Sequence, residues 1–310
     1  MTCHTSGDLQ EIVDEVVPLT NDGEVADYIP ALAEVNKHDL SVAVYNVRDN
    51  TCIYAGDYQK KFTLQSISKV LVLALAIQDR GYGYVFDRVG MEPTGDPFNS
   101  ISKLETSVPS KPLNPMINAG ALAVTNMIKG DSALERWSRI RDFVQRLASD
   151  KNVTCDESVA KSEFETSCLN RALCYFMKQH GVIEGNIEEL MDIYTKQCAI
   201  EMSCFDLARI GAVFALDGKD PETGKEIIPK GIARICKTFM VTCGMYNASG
   251  EFAIKVGIPA KSGVSGGILG VVPERCGVGI FGPSLDKRGN SIAGLKLLEI
   301  LADKNNFSIF

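Results

Sequence analysis

The 310-residue sequence predicts an α+β fold: a central antiparallel sheet built from both chain ends, flanked by helices, with a mainly helical middle. Three observations predict it. Two short β-rich runs sit near the N-terminus, a long block from 118 to 216 has helical periodicity, and further short β-rich segments return near the C-terminus.

Residues 8–19 space Leu9, Ile12, Val13 and Val16 among acidic side chains, the pattern of an amphipathic helix. Residues 40–47 alternate as a strand, Arg48-Asp49-Asn50 makes a turn, and 51–55 returns, giving a hairpin. From Ser66 to Asp79 the chain is apolar on nearly every side, which marks a central buried helix that ends at Gly81. Residues 90–115, rich in Gly, Pro, Asn and Ser, read as a long ordered loop. The clearest helices of the middle block are 119–129, 132–149, 170–180, 187–194 and 204–216, followed by a turn cluster at 217–224 and a helix near 229–242. Phe252–Ile258, Gly267–Val272 and Gly277–Phe281 read as strands, and 291–303 as a closing helix. The α/β part thus spans about 24–66 and 243–303, the helical subdomain about 67–242, within a single domain of residues 1–310.

Composition narrows the function. The net charge is −7, and no basic run or aromatic–basic interleaving occurs, so nucleic acid is not an expected partner. No stretch is long and apolar enough to span a bilayer. The acidic first 19 residues lack the pattern of a signal or transit peptide, so a cytoplasmic protein with reduced thiols is expected. The ten cysteines form no C-x-x-C, and the three histidines lie in no nucleophile motif, so neither a metal site nor a histidine-based triad is supported.

Two strings nearly two hundred residues apart carry the chemistry. Ser66-Ile67-Ser68-Lys69 opens the apolar helix, and Lys261-Ser262-Gly263 enters a Gly-rich, β-branched segment. In this order they read as the S-x-x-K and K-[ST]-G elements of a serine hydrolase whose base is a lysine. At i and i+3 on a helix, Ser66 and Lys69 share one face. A lysine acts as a base only when partly neutral, and burial or a second cation lowers its pKa. Lys261 is placed to be that second cation or part of a proton relay. Ser66 at a helix start also offers its backbone N–H to an oxyanion. The plainer alternative is that Ser66 caps a helix. Ser68, adjacent to Lys69, does not face it and reads as structural. S-D-N, the third element of class A β-lactamases, occurs nowhere, which weakens a reading as a β-lactamase or D,D-peptidase.

Residues from about 24 to 302 resemble the serine-dependent glutaminases, a family with the β-lactamase/transpeptidase-like fold. The resemblance lies in Ala26-Asp27-Tyr28-Ile29-Pro30, Leu64-Gln65-Ser66-Ile67-Ser68-Lys69, Glu92-Pro93-Thr94-Gly95, Asn114 to Ala121, Cys243-Gly244-Met245-Tyr246 and Pro259 to Ile268. It implies hydrolysis of L-glutamine to glutamate and ammonia through an acyl-serine, with Ser66 as nucleophile and Lys69 as its base. By the same resemblance, Tyr28 and Tyr246 line the catalytic centre, and Val264 completes the oxyanion hole with Ser66. Asn118, Glu163, Asn170 and Tyr194 then contact substrate. These types suit a free amino acid: Glu163 can pair with the ammonium, while amides and tyrosine hydroxyls hydrogen-bond carboxylate and carboxamide. The bland readings are a solvated helix face for Glu163, a helix cap for Asn170 and a core aromatic for Tyr194. The resemblance implies no metal or organic cofactor, and a homodimer or homotetramer. A catalytically silent amino-acid sensor on the same fold is the alternative from a different class.

Overall fold

In the computed structural model, residues 3–97, 99–106 and 110–310 are described. The elements run α1 (Ser6–Val16), β1 (Ser41–Asn46), β2 (Cys52–Ala55), β3 (Phe62–Thr63), α2 (Ser68–Arg80), α3 (Tyr82–Arg88), α4 (Ser102–Thr106) and α5 (Asn118–Asn126). They continue with α6 (Ala133–Ala148), α7 (Glu157–Thr166), α8 (Cys168–Gln179), α9 (Ile187–Cys198), β4 (Glu201–Met202), α10 (Cys204–Ala215) and α11 (Lys230–Cys243). The chain closes with α12 (Ser249–Lys255), β5 (Ala260–Ser262), β6 (Gly267–Val272), β7 (Cys276–Phe281) and α13 (Ile292–Asn305).

The expected architecture is the one observed. A five-stranded sheet of order β2-β1-β7-β6-β5 joins both chain ends, with β1 antiparallel to β7 from Ser41↔Phe281 to Asn46↔Cys276. The alternation of β1 splits its side chains between two cores. Val42 and Val44, with Ile280 of β7, face Leu9 and Ile12 of α1 and Leu297 and Leu301 of α13. Ala43 and Tyr45 face the helical side, with α2, α10 and the middle block. α10 lies directly on the sheet. Only glycine allows that approach: a Cβ on Gly277 would sit 2.0 Å from the Ala208 carbonyl oxygen, and one on Gly279 would sit 2.2 Å from that of Cys204. β3 and β4 form a separate two-stranded ladder beside the start of α2.

Four local expectations need correction. Residues 252–258 are not a strand; α12 occupies Ser249–Lys255, buries Phe252 and Ser249, and ends before Gly257 at φ 72°. The strand lies just beyond it, at Ala260–Ser262, and contains Lys261. A short apolar run does not by itself distinguish helix from strand, and here the turn at Gly257 decides. Second, α7 is a helix that the apolar periodicity does not single out. It is polar over most of its length and shows only Val159, Ala160 and Glu163 to the interior, but Asp156 caps it through the Ser158 and Val159 N–H groups. Third, α9 runs a further turn past 194, to Cys198. Fourth, the helix expected to open at Ser66 begins two residues later, and the alternative of Ser66 as its cap falls with it. Ser66 sits in a 3-10 turn, Gln65–Ile67, and α2 starts at Ser68. The expected loop at 90–115 includes residue 98 and residues 107–109, which lie outside the described residues; within the rest, α4 forms one short helix.

Candidate active site

Ser66 sits where the helical side meets the end of the sheet. It is 8% exposed, in the turn leading into α2, and Lys69 follows one turn later with 2% exposure. Gln65, immediately before Ser66, has φ 48°, and Tyr246 has φ 51°. Non-glycine residues in that region each cost on the order of 1–3 kcal/mol, and such strain gathers at functional sites.

The Lys69 amine donates to the Met116 carbonyl at 3.1 Å and to Asn118 Oδ1 at 2.8 Å. That bond orients the Asn118 amide, whose Nδ2 donates to Asn170 Oδ1 at 3.1 Å. The starts of α2, α5 and α8 are therefore joined by one chain of polar contacts. Burial lowers the Lys69 pKa to about 8, against raising contributions from Cys198 and Glu163. An amine with that pKa is about one-tenth neutral at pH 7, some hundreds of times more than an ordinary lysine.

Lys261 arrives from β5, at the edge of the sheet, and is fully buried. Its amine donates to the Gly244 carbonyl at 3.0 Å and to that of its neighbour Ser262 at 2.6 Å, and lies 4.5 Å from the centre of the Tyr246 ring. Burial, then the Lys69 charge, pushes its pKa well down. Burial raises the pKa of the Tyr246 hydroxyl, and the neighbouring Ser66 side chain works against that rise. Ser249 holds the strained Tyr246 backbone, accepting from Met245 N–H at 3.1 Å and donating to the Tyr246 carbonyl at 3.0 Å.

The turn after Lys261 packs on the turn that holds Ser66. A Cβ on Gly263 would fall 2.5 Å from the Leu64 carbonyl oxygen. The 263–267 turn is closed by Gly263 N–H to the Gly267 carbonyl at 2.9 Å and Gly266 N–H to the Gly263 carbonyl at 2.9 Å. The Val264 N–H stands outside both bonds.

Glu163, on α7, turns inward. It is 7% exposed, and its Oε2 has no hydrogen-bond partner among the described residues. Burial raises its pKa to about 7, while the Lys69 charge and contacts from Gln65 and Cys198 hold it down. Tyr194, on α9, is 2% exposed, and burial together with Cys198 and Glu163 raises its pKa well up. Tyr28 differs: the residue is 54% exposed, while its hydroxyl end is desolvated and feels Tyr246 and Glu163, which raises its pKa. Every predicted site residue thus falls in one neighbourhood, and the solvated-face reading of Glu163 is excluded by its burial.

Sequence reasoning missed several contributors. Gln65 and Cys198 both touch Glu163, and the Met116 and Gly244 carbonyls hold the two amines. Tyr194 and Cys198 are four apart on one helix, a spacing that could have indicated a shared face. Ser68 is structural, as expected. It donates to the Gln65 carbonyl at 2.8 Å and accepts from Gln197 Nε2 at 3.2 Å, and Thr125 donates to Gln197 Oε1 at 2.8 Å. A cleft of about 30 Å³ beside Thr94, Met116 and Ile117 is lined by Tyr246, and another of about 120 Å³ beside Phe62 and Thr63 is lined by Val264. Wider grooves, about 410 Å³ beside Phe252 and Arg288 and about 600 Å³ between Tyr82 and Phe239, contain none of these residues.

Fold and centre together define a class: α+β proteins in which a buried serine–lysine pair lies between the sheet end and the helical side. Comparison with known proteins gives the family. The glutaminase family model matches residues 23–310. The sequence is 64% identical to a glutaminase of Shouchella clausii (strain KSM-K16) and 61% identical to glutaminase 2 of Bacillus subtilis (strain 168), in each case over 310 residues and 100% of both chains. Among solved structures, a probable glutaminase from Bacillus subtilis superposes with a TM-score of 0.93 at 43% identity, covering 98% of this chain and 97% of that one. A probable Bacillus subtilis glutaminase complexed with 6-diazo-5-oxo-L-norleucine superposes at 0.91 with 41% identity, covering 100% and 98%. This chain belongs to the glutaminase family.

Proposed function

We propose that this protein is an L-glutamine amidohydrolase that releases L-glutamate and ammonia through an acyl-serine intermediate. The observation that carries the reading is the buried Lys69 amine, lowered to about 8 and fixed by Met116 and Asn118 one turn from Ser66, in a chain 64% identical over its full length to a glutaminase.

Neutral Lys69 takes the Ser66 proton as the hydroxyl oxygen attacks the γ-carboxamide carbon. The oxyanion collects the N–H groups of Ser66 and Val264. Collapse expels ammonia, protonated from Lys69 or from Tyr246, whose hydroxyl neighbours Ser66. Water then adds to the glutamyl ester, with Lys69 accepting its proton. Lys261 keeps the Lys69 proton mobile by presenting a second amine nearby, and it supports the Tyr246 ring. Glu163, with its unpartnered Oε2, receives the substrate ammonium. Asn118, Asn170, Tyr194 and Tyr28 bind the remaining amino-acid groups. A solved relative described as a covalent complex of glutaminase YbgJ with 5-oxo-L-norleucine, formed by reaction of the protein with 6-diazo-5-oxo-L-norleucine, supports a reaction through a covalent intermediate. Among the described residues no helix is long and apolar enough to cross a membrane. We propose further a cytoplasmic homodimer or homotetramer, each chain one domain with the α/β part at about 24–66 and 243–303 and the helical subdomain at about 67–242.

The test is ammonia release from glutamine by the wild type and by Ser66→Ala, with calorimetric glutamine binding to both. The expected result is release by the wild type alone, with binding by both. Binding without release by the wild type would replace this reading with an amino-acid sensor, and release that survives Ser66→Ala would remove Ser66 as nucleophile.

A further inference from the structure

Asn114 has no part in the catalytic or substrate-binding roles above, yet it is 1% exposed and every polar atom of its side chain is engaged. Its Oδ1 accepts from the Met116 N–H at 2.9 Å and the Ile117 N–H at 3.2 Å. Its Nδ2 donates to the Glu92 carbonyl at 2.9 Å. The two acceptor bonds fold 114–117 into a side-chain-closed turn immediately before α5. That turn aims the Met116 carbonyl at Lys69, and the helix start behind it carries Asn118, the second acceptor of the same amine. The backbone behind the turn is equally constrained: a Cβ on Gly120 would lie 1.9 Å from the Asn114 carbonyl oxygen. The Nδ2 bond ties the turn to the segment at 90–92, which is also held by Gly90 N–H to the Pro112 carbonyl at 2.7 Å and Glu92 N–H to that of Leu113 at 3.0 Å.

We infer that Asn114 is a positioning residue for Lys69, folding the turn that presents both carbonyl acceptors to the lysine amine. The inference rests on Lys69 acting as the base of the proposed reaction. Carbonyl acceptors favour the ammonium form of a lysine. Loosening the turn therefore lowers the Lys69 pKa further and also misplaces the amine. The other titratable groups facing Lys69 are Glu163 on α7, Cys198 on α9 and Lys261 on β5, with Tyr246 across Ser66; Asn114 contacts none of them through the bonds above.

The experiment compares the pH dependence of kcat/KM in the wild type, Asn114→Ala and Asn114→Ser. Loss of one bond to a charged amine predicts that the acid limb of Asn114→Ala moves about one pH unit lower. Its plateau rate falls by about tenfold from misplacement of the base. The serine hydroxyl can still accept from Met116 N–H but cannot reach Glu92, so Asn114→Ser lies between the two. A merely structural loss would lower the rate equally at every pH and leave the limb unmoved, and that result in a folded Asn114→Ala overturns the inference. If the melting curve shows Asn114→Ala unfolded, Asn114→Ser decides alone: a limb below wild type supports the inference, and a limb at the wild-type position overturns it. Carbon-13 NMR titration of the Lys69 ε-carbon, assigned with Lys69→Met, reads the same shift without turnover. A wild type that releases no ammonia then defeats the functional reading separately from this one.

Discussion

Replacing Lys69 by methionine should abolish activity and at the same time stabilise the protein at neutral pH. The Lys69 pKa falls from the ordinary 10.5 to about 8 on folding, with burial as the main cause. Each pKa unit corresponds to about 1.4 kcal/mol, so holding this amine charged in the fold costs about 3 kcal/mol below pH 8. Methionine removes that cost with similar volume. It also leaves the Met116 carbonyl and Asn118 Oδ1 without their donor, returning about 1 kcal/mol each. The net gain at pH 7.5 is then about 1 kcal/mol. The sign against pH is the sharper test. Between pH 8 and 10.5 the unfolded lysine keeps a proton that the folded one has lost, so wild-type stability rises with pH through this window. The wild type should therefore recover about 3 kcal/mol relative to Lys69→Met across it. Glu163, which loses a neighbouring cation in the variant, moves the difference in the same direction. Urea denaturation of both proteins at about pH 7.5, 8.5 and 9.5, with ammonia release measured in parallel, checks this. A stability difference that stays flat with pH would refute the reasoning, because Lys69 would then not be held charged at a cost.

Two other outcomes follow from the same geometry. Glu163→Gln should raise KM for glutamine by about thirtyfold or more, as expected when one partner of a buried charge pair is removed, with a smaller effect on kcat; since Glu163 titrates at about 7, wild-type KM should also rise as pH falls below 7, and this dependence should vanish in the variant. Arg209 is 2% exposed, pairs with Asp220 and donates to the Leu147 carbonyl at 2.7 Å, so Arg209→Met should lower stability by about 3–5 kcal/mol in chemical denaturation by stranding the Asp220 carboxylate.

The sequence determined the parts that depend on neighbours in the chain. The three-residue step from Ser66 to Lys69, the apolar run of α2 and the β1–β2 hairpin are all local, and the periodicities of helix and strand make them legible. The antiparallel sheet from both ends is legible as a pattern of elements, and so is the string around Lys261, although the apolar pattern puts its strand several residues early. Tertiary structure decided what lies between elements. It turned Glu163 inward from a helix whose sequence is mostly polar, set Cys198 and Gln65 beside it, and used the Gly244 carbonyl to hold Lys261. It also placed Ser66 in a strained turn rather than at a cap. None of these is encoded by spacing, because burial and carbonyl direction depend on which surfaces meet after the chain has packed. The lowered pKa of Lys69 belongs to the same class: the sequence supplies the amine, and only the closed interior, with little water left to solvate its charge, makes it a base.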